Sequence, residues 1–333
     1  MSKFKILYVI DKVELQYFEF NDLITSFWMI KECNLRNWDV YITTMDRLSL
    51  KNNLPEAQVF KTCLKDTTRK NDIVYDKKAE TLYLNDLDCI VFRPDPPVNM
   101  DYIFATYILD YVDTSTTMVI NSPSGIRKAN EKLYINNFQG FVPDNITTSK
   151  SSIIKEFLHE YGEIVIKPLN KCFGKGVFYL NKNDKNINAV IESSTNNETT
   201  VVMVQKYLPN IKNGDKRLIL IGGKLYSECV VKLSGEDDFK FNNHKDEYFK
   251  QGFITARERE ICKAIAPKLL EDGLYLVGLD IIDNYISEIN VTSPCFFIRE
   301  INNMFGIRLE KRIIDYIEAL LCSKKQCVLA SAV

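Results

Sequence analysis

Two histidines, His159 and His244, are all that 333 residues contain, which leaves little material for a Ser-His-Asp triad or a histidine-rich metal centre. His159 falls in a helical pattern, Ile153 to Gly162, and reads as a surface residue. The nine cysteines are odd in number and none forms a Cys-x-x-Cys pair, so neither a disulfide framework nor a zinc site is indicated. Free thiols in a reducing compartment are the simple reading. Charge of one sign is missing as well: 43 Lys plus Arg stand against 44 Asp plus Glu, so no net field draws the chain to nucleic acid or an anionic membrane. The longest uncharged apolar stretch, Tyr102 to Leu109, is far short of the ~20 residues that span a bilayer. The run Ile6 to Ile10 is ended by Asp11 before it could serve a secretory signal, which points to the cytoplasm. Gly-x4-Gly-Lys-Ser/Thr and Gly-x-Gly-x-x-Gly are both absent, removing the main support for P-loop and nicotinamide readings. Any catalysis is left to carboxylates, lysines, arginines and cations held by oxygen.

What is present is the composition of a globular protein, 46% hydrophobic and 26% charged, long enough for two or three domains. Strand character at Phe4 to Ile10, a helical pattern from Ile24 to Lys31, and a strand at Asp39 to Thr43 come first. A buried strand at Cys89 to Arg93, a Pro-rich turn, a helix from Asp101 to Val112 and a strand at Met118 to Asn121 follow. This alternation predicts a parallel sheet with crossover helices, whose ligands meet the carboxyl ends of strands, where Asp11 and Arg93 stand. After Asn121 the pattern becomes α+β, with a helix carrying Lys132, a strand Glu163 to Pro168, and a strand Gly176 to Leu180. Asn181 to Thr200 reads as a loop around one short helix, a candidate hinge. Boundaries at 1–121, 122–200, 201–320 and a flexible tail, 321–333, are expected.

The stretch Tyr275 to Pro294 carries the most chemistry. Two apolar strands flank an Asp283-Asn284 turn, and Glu288 and Asn290, two apart, share a face. With an odd loop, Asp280 lies across from Glu288. Crowded hard oxygen ligands need a cation, and with room for water and phosphate they suit Mg²⁺. A solvated hairpin face satisfies the same spacing. Lys132 and Lys167 supply complementary charge, and the loop Asn170 to Gly176, with Gly174 and Gly176, can turn backbone N–H groups to phosphates. Gln205 to Arg217 presents Asp215 and Arg217 two residues apart, Arg217 being able to pair bidentately with a carboxylate or phosphate.

Asp280, Glu288-Ile-Asn290-Val-Thr-Ser-Pro294, the Lys132 and Lys167 pair, Asn213-Gly-Asp-Lys-Arg217, and Arg93-Pro-Asp-Pro-Pro97 followed by Tyr102 to Leu109 together resemble the bacterial glutathione synthetases of the ATP-grasp superfamily. The likeness runs in order from about Lys5 to Leu320. It implies three domains: a Rossmann-like N-terminal domain, a central lid, and a C-terminal catalytic domain with ATP between the last two. It implies ATP contacts for Lys132, Lys167, Gly174, Gly176, Gln205, Lys206, Tyr207, Leu208 and Asp215, and Mg²⁺, with Mn²⁺ as an alternative, at Asp280, Glu288 and Asn290. Arg93, Arg217 and Ser293 match positions near a peptide substrate. The implied reaction joins γ-glutamylcysteine and glycine in a homo-oligomer that binds only small molecules.

Departures from that pattern lie in the lid. Where the family has a glycine-rich loop with Arg-Gly-Asn and a second arginine, this chain reads Gly235-Glu-Asp-Asp-Phe-Lys-Phe-Asn-Asn-His244. Lys240 and Asn242 stand for the first arginine and the asparagine, and the resemblance implies a catalytic role for them with Arg217. Near the start, Ile24 before Thr25-Ser26 replaces an expected Asp. The altered lid leaves open a ligase with another amine or acyl substrate, or a nucleotide-binding protein without turnover.

Overall fold

The computed structural model describes residues 4–18, 23–65, 73–172, 174–233 and 249–331. The chain opens with β1 (Lys5–Ile10), α1 (Lys12–Tyr17), α2 (Thr25–Leu35), β2 (Asp39–Thr44), β3 (Leu48–Lys51), β4 (Leu54–Leu64), β5 (Ile73–Tyr75), β6 (Glu80–Tyr83), β7 (Cys89–Phe92), α3 (Met100–Leu109) and β8 (Met118–Ile120). These strands form one sheet in the order β3-β4-β2-β1-β7-β8, with β5 and β6 also paired to β4. β1, β2, β7 and β8 are parallel. Covered on both faces, β1 and β7 are apolar without alternation. The antiparallel flap β3 to β6 was not foreseen.

A second unit follows: α4 (Pro123–Lys128), β9 (Asn145–Thr148), α5 (Ser151–Tyr161), β10 (Glu163–Pro168), β11 (Phe178–Asn181), α6 (Ile187–Thr195) and β12 (Val202–Lys206). Its sheet runs β11-β10-β12-β9, and Ile154, Phe157, Leu158 and Ile191 of the two longer helices bury against Ile164, Ile166, Val202 and Val204. Two expectations change here. β12, read with the C-terminal unit, pairs with β10 and β9, and the candidate hinge 181–200 holds α6, whose Ile191 belongs to this core.

The third sheet contains β13 (Asp215–Ile221), β14 (Lys224–Leu225), β15 (Val230–Lys232), β16 (Phe249–Gln251), β17 (Leu276–Ile282) and β18 (Tyr285–Asn290), in the order β16-β15-β13-β17-β18 with β14 on β13. Between them α7 (Ala256–Glu271) starts from a capping box, the Thr255 hydroxyl accepting the Glu258 N–H while the Glu258 carboxylate accepts the Thr255 N–H. α8 (Ile298–Phe305) and α9 (Leu309–Ser331) close the chain. The stretch from 321 on, expected as a tail, is helical to Ser331. It continues an amphipathic helix whose Ile313, Ile314, Ile317 and Leu321 bury in the first unit's core, with Arg36, the C-cap of α2, meeting Asp315 at 2.6 Å.

The side chain of Asn121 links the first sheet to the third. Asn121 donates from Nδ2 to the carbonyls of Leu276 at 2.8 Å and Val291 at 2.7 Å, and its Oδ1 accepts the N–H groups of Tyr275 and Leu276 at 2.8 and 2.9 Å. All hydrogen-bonding capacity of the amide is used, which holds the end of β8 against the start of β17 and the residue that follows β18. Among the described residues no helix is long and apolar enough to cross a membrane.

Candidate active site

The hairpin reaches the expected juxtaposition by a different route. Asp283 and Asn284 form a two-residue turn, both left-handed with φ of 55° and 64°, as tight hairpins require. An even loop would put Glu288 on the wrong face. Instead Ile281 pairs with Ile286 and Asp280 with Glu288, so Ser287 is an extra residue, a β-bulge. Its hydroxyl donates back to the Asp280 carbonyl at 3.2 Å. Arg217 of β13 pairs across the sheet with Asp280, so Arg217, Asp280 and Glu288 form one row over three strands.

Arg217 grips Asp280 bidentately, Nε to Oδ1 at 2.6 Å and Nη2 to Oδ2 at 3.0 Å, and donates from Nη1 to the Cys295 carbonyl at 2.6 Å. Two of its five N–H donors remain for a ligand. A Cβ on Gly278 would lie 3.1 Å from Arg217 Cδ and 3.2 Å from Nη1, so the glycine provides the space the guanidinium occupies. Lys232, which the sequence reading missed, sits between Asp215 at 2.6 Å and Asp280 at 3.2 Å. Burial by itself would raise the Asp280 carboxyl, but Arg217 and Lys232 hold it well below the usual carboxylate range. Asp215 is raised, by burial and then by the charge of Asp280. Its Oδ1 is buried with no partner among the described residues.

Opposite this row stand the two lysines. Lys132 is not in a helix: it follows α4 in a turn where Asn130 Oδ1 accepts the N–H groups of Lys132 and Leu133, each at 3.1 Å. Its ammonium meets Glu131, the Lys171 carbonyl at 3.0 Å and Glu288 at 3.8 Å. Lys167, near the end of β10, lies 4.0 Å from Glu288. Burial lowers the Lys167 ammonium, while Glu288 and Glu131 outweigh burial and raise that of Lys132.

One cavity of about 1430 Å³ joins these groups. Lys167, Gly174, Gln205, Lys206, Tyr207, Leu208, Asp215, Arg217, Lys232, Asp280, Glu288, Asn290 and Ser293 line it, and so do Arg93 and Asp95. Lys132 and Gly176 are outside the lining, Lys132 standing behind Glu131, which forms the wall. Gln205 Nε2 is buried with no partner among the described residues. Lys240 and Asn242 lie outside the described residues.

The donor set suits Mg²⁺ and a polyphosphate. Among the described residues no group of three His, Cys, Asp or Glu side chains gathers as a closed cage. Two carboxylates and an amide are instead the sparse set that Mg²⁺ takes when phosphates and water complete its shell. Asp280 already accepts from Arg217, Lys232 and Asn290 Nδ2, the last at 3.2 Å, so Glu288 is the carboxylate with more freedom. The orphaned Asp215 Oδ1 and Gln205 Nε2 mark a wall built for a polar occupant.

Gly214 sets Asp215 in place. It has φ of 108°, and a Cβ there would lie 2.3 Å from Val231 Cγ1 and 2.7 Å from the Lys232 carbonyl oxygen. Gly214→Ala is expected to cost about 2–4 kcal/mol from a strained backbone and an overpacked contact together. Urea unfolding checks this, a loss under 0.5 kcal/mol, the usual limit for neutral surface changes, contradicting it.

Residues 131–306 match the prokaryotic glutathione synthetase ATP-grasp domain family, and residues 5–127 match the prokaryotic glutathione synthetase N-terminal domain family. The glutathione synthetase of Nostoc sp. is 43% identical over 235 residues, 71% of this chain and 72% of that one. The Vibrio vulnificus glutathione synthetase is 34% identical over 297 residues, 89% of this chain and 92% of that one. Among solved structures, D-cycloserine synthetase DcsG superposes with a TM-score of 0.66 at 15% identity, covering 95% of this chain and 99% of that one. D-alanyl-alanine synthetase A from Vibrio cholerae gives 0.60 at 14% identity over 97% and 100%. These two show the ATP-grasp fold. With both domain families matched along nearly the whole chain, the protein belongs to the prokaryotic glutathione synthetases, ATP- and Mg²⁺-dependent ligases that form a carbon–nitrogen bond.

Proposed function

We propose that the protein joins the cysteinyl carboxylate of γ-glutamylcysteine to the amine of glycine while ATP is cleaved to ADP and phosphate. The observation that carries this reading is the row Arg217, Asp280 and Glu288 facing Lys167 in one cavity, with Lys132 behind its Glu131 wall and 3.8 Å from Glu288. In this reading the wall Gln205 to Leu208 receives the adenine and Lys167, Lys132 and the Gly174 loop hold phosphate charge. Asp280, Glu288 and Asn290 hold Mg²⁺, which supplies charge neutralisation at the phosphates. The peptide carboxylate attacks the γ-phosphate to give an acyl phosphate, and the glycine amine then attacks its carbonyl carbon and expels phosphate. No protein nucleophile is required; positioning and charge stabilisation carry the rate.

The two free N–H groups of Arg217 orient the peptide carboxylate, Arg93 and Ser293 face its remainder, and Lys240 and Asn242, outside the described residues, are assigned with Arg217 to the acyl-phosphate step. A cytoplasmic location and a homo-oligomeric state are part of the same proposal. ADP release with ATP, Mg²⁺, γ-glutamylcysteine and glycine is expected to need all four components. Turnover with glycine omitted, or none with all four, would contradict it. The lid sequence Gly235 to Asn243, poor in glycine and without a second arginine, favours a second reading in which another amine is the acceptor, and an amine screen by ADP release separates the two.

A further inference from the structure

One wall of the cavity holds charge that neither phosphate nor Mg²⁺ accounts for. It lies beyond the carboxyl ends of β1 and β7, where Asp11, Glu14, Arg93 and Asp95 face the opening. Glu14 is 6% exposed, and beyond a weak approach of the Asp11 N–H neither of its carboxylate oxygens has a hydrogen-bond partner among the described residues. Arg93 is 2% exposed; Nε meets Ser26 Oγ at 3.4 Å, Nη2 meets the Pro294 carbonyl at 3.1 Å, and Nη1 has no partner. The neighbouring acids are partly satisfied, since Asp11 accepts the Asp95 N–H at 2.6 Å and Asp95 accepts from Ser293.

A buried carboxylate without a partner is costly and rare, and it persists where an occupant is to meet it. Among the described residues no three acidic groups are close enough to hold a metal ion, which disfavours a bare cation. Three acids beside one arginine, each type with an unused hydrogen-bonding group, match a ligand carrying an ammonium next to a carboxylate. Burial and the charge of Asp95 push the Glu14 carboxyl up against the pull of Arg93, and an arriving ammonium adds counter-charge to that of the one arginine.

We propose that Glu14 is a specificity-determining residue that receives a primary ammonium while Arg93 takes the adjacent carboxylate, so that this corner reads the α-amino-acid end of the acyl substrate. The proposal rests on the reaction proposed above and deepens it. Neither the motifs nor the family resemblance singled out Glu14.

Calorimetric titration of the full chain with γ-glutamylcysteine and with its analogue lacking the amino group tests it. Wild type is expected to prefer the amine-bearing peptide by roughly 10- to 100-fold, as for hydrogen bonds to a charged group. In Glu14→Gln the preference falls to about threefold or less, and Glu14→Asp retains part of it. A purely structural role would weaken both peptides equally. Equal or absent binding of the two peptides by wild type overturns the subsite, as does an undiminished preference in Glu14→Gln. ADP release in the same samples reports separately on the reaction: preference without turnover sinks the reaction and keeps the subsite, and equal turnover of both peptides does the reverse.

Discussion

Asp280→Ala is expected to abolish ADP formation and to lower the unfolding free energy by about 3–5 kcal/mol, the cost of leaving buried cations without their partner. Arg217 and Lys232 both lean on this carboxylate, and Arg217 is nearly inaccessible to water. The sign of the pH dependence follows from the same contacts. Because the native carboxyl titrates below its unfolded value, near ~3.9, its contribution is complete above that pH and is lost as the pH falls towards the native value. Asp280→Asn should therefore show a flatter acid limb than wild type when urea midpoints are compared between neutral pH and about pH 3. Retained turnover in Asp280→Ala would overturn the metal assignment, and unchanged stability would overturn the ion cluster.

Lys167→Met is expected to separate activity from stability in the opposite way. The ammonium is buried and depressed, with Glu288 at 4.0 Å as its nearest acid, so a methionine of similar length removes a poorly compensated charge and keeps the packing. Thermal stability should stay level or rise. Catalysis should not survive the change, since removing one preorganised donor to developing charge typically costs about 10²–10³ in rate. Measuring kcat/KM for ATP beside the melting temperature decides it: a destabilised variant would mean that Lys167 serves the fold, and an active one that the phosphates bind elsewhere.

The candidate site was legible in the sequence where its residues are local. Glu288 with Asn290, and Asp215 with Arg217, share a face because strands alternate with period two, and that can be read from spacing. Lys232 could not be found this way. It meets Asp215 through the pairing of β13 with β15, and nothing in a single strand states which residue of the other it opposes. Glu14 is a still harder case, for six residues of α1 resemble any amphipathic turn until the walls of the cavity enclose them. The parallel sheet was readable from its apolar runs. The flap β3 to β6 was not, because half-exposed antiparallel strands such as β4 give only a broken alternation. β12 was placed in the wrong unit for a related reason: a strand's sheet is settled by partners distant in sequence.

The bulge at Ser287 reaches further than geometry. Surface turns ordinarily tolerate insertions and deletions, because little depends on their length. In this hairpin a single added or lost residue, unless a second change restored the count, would invert the strand and turn Glu288 and Asn290 towards the apolar side that now holds Ile286 and Ile289. Asp283, half-buried, and Asn284, exposed, thus inherit a constraint from the chemistry: beyond the small residues that their left-handed backbone accepts, it is their number that is closed to drift.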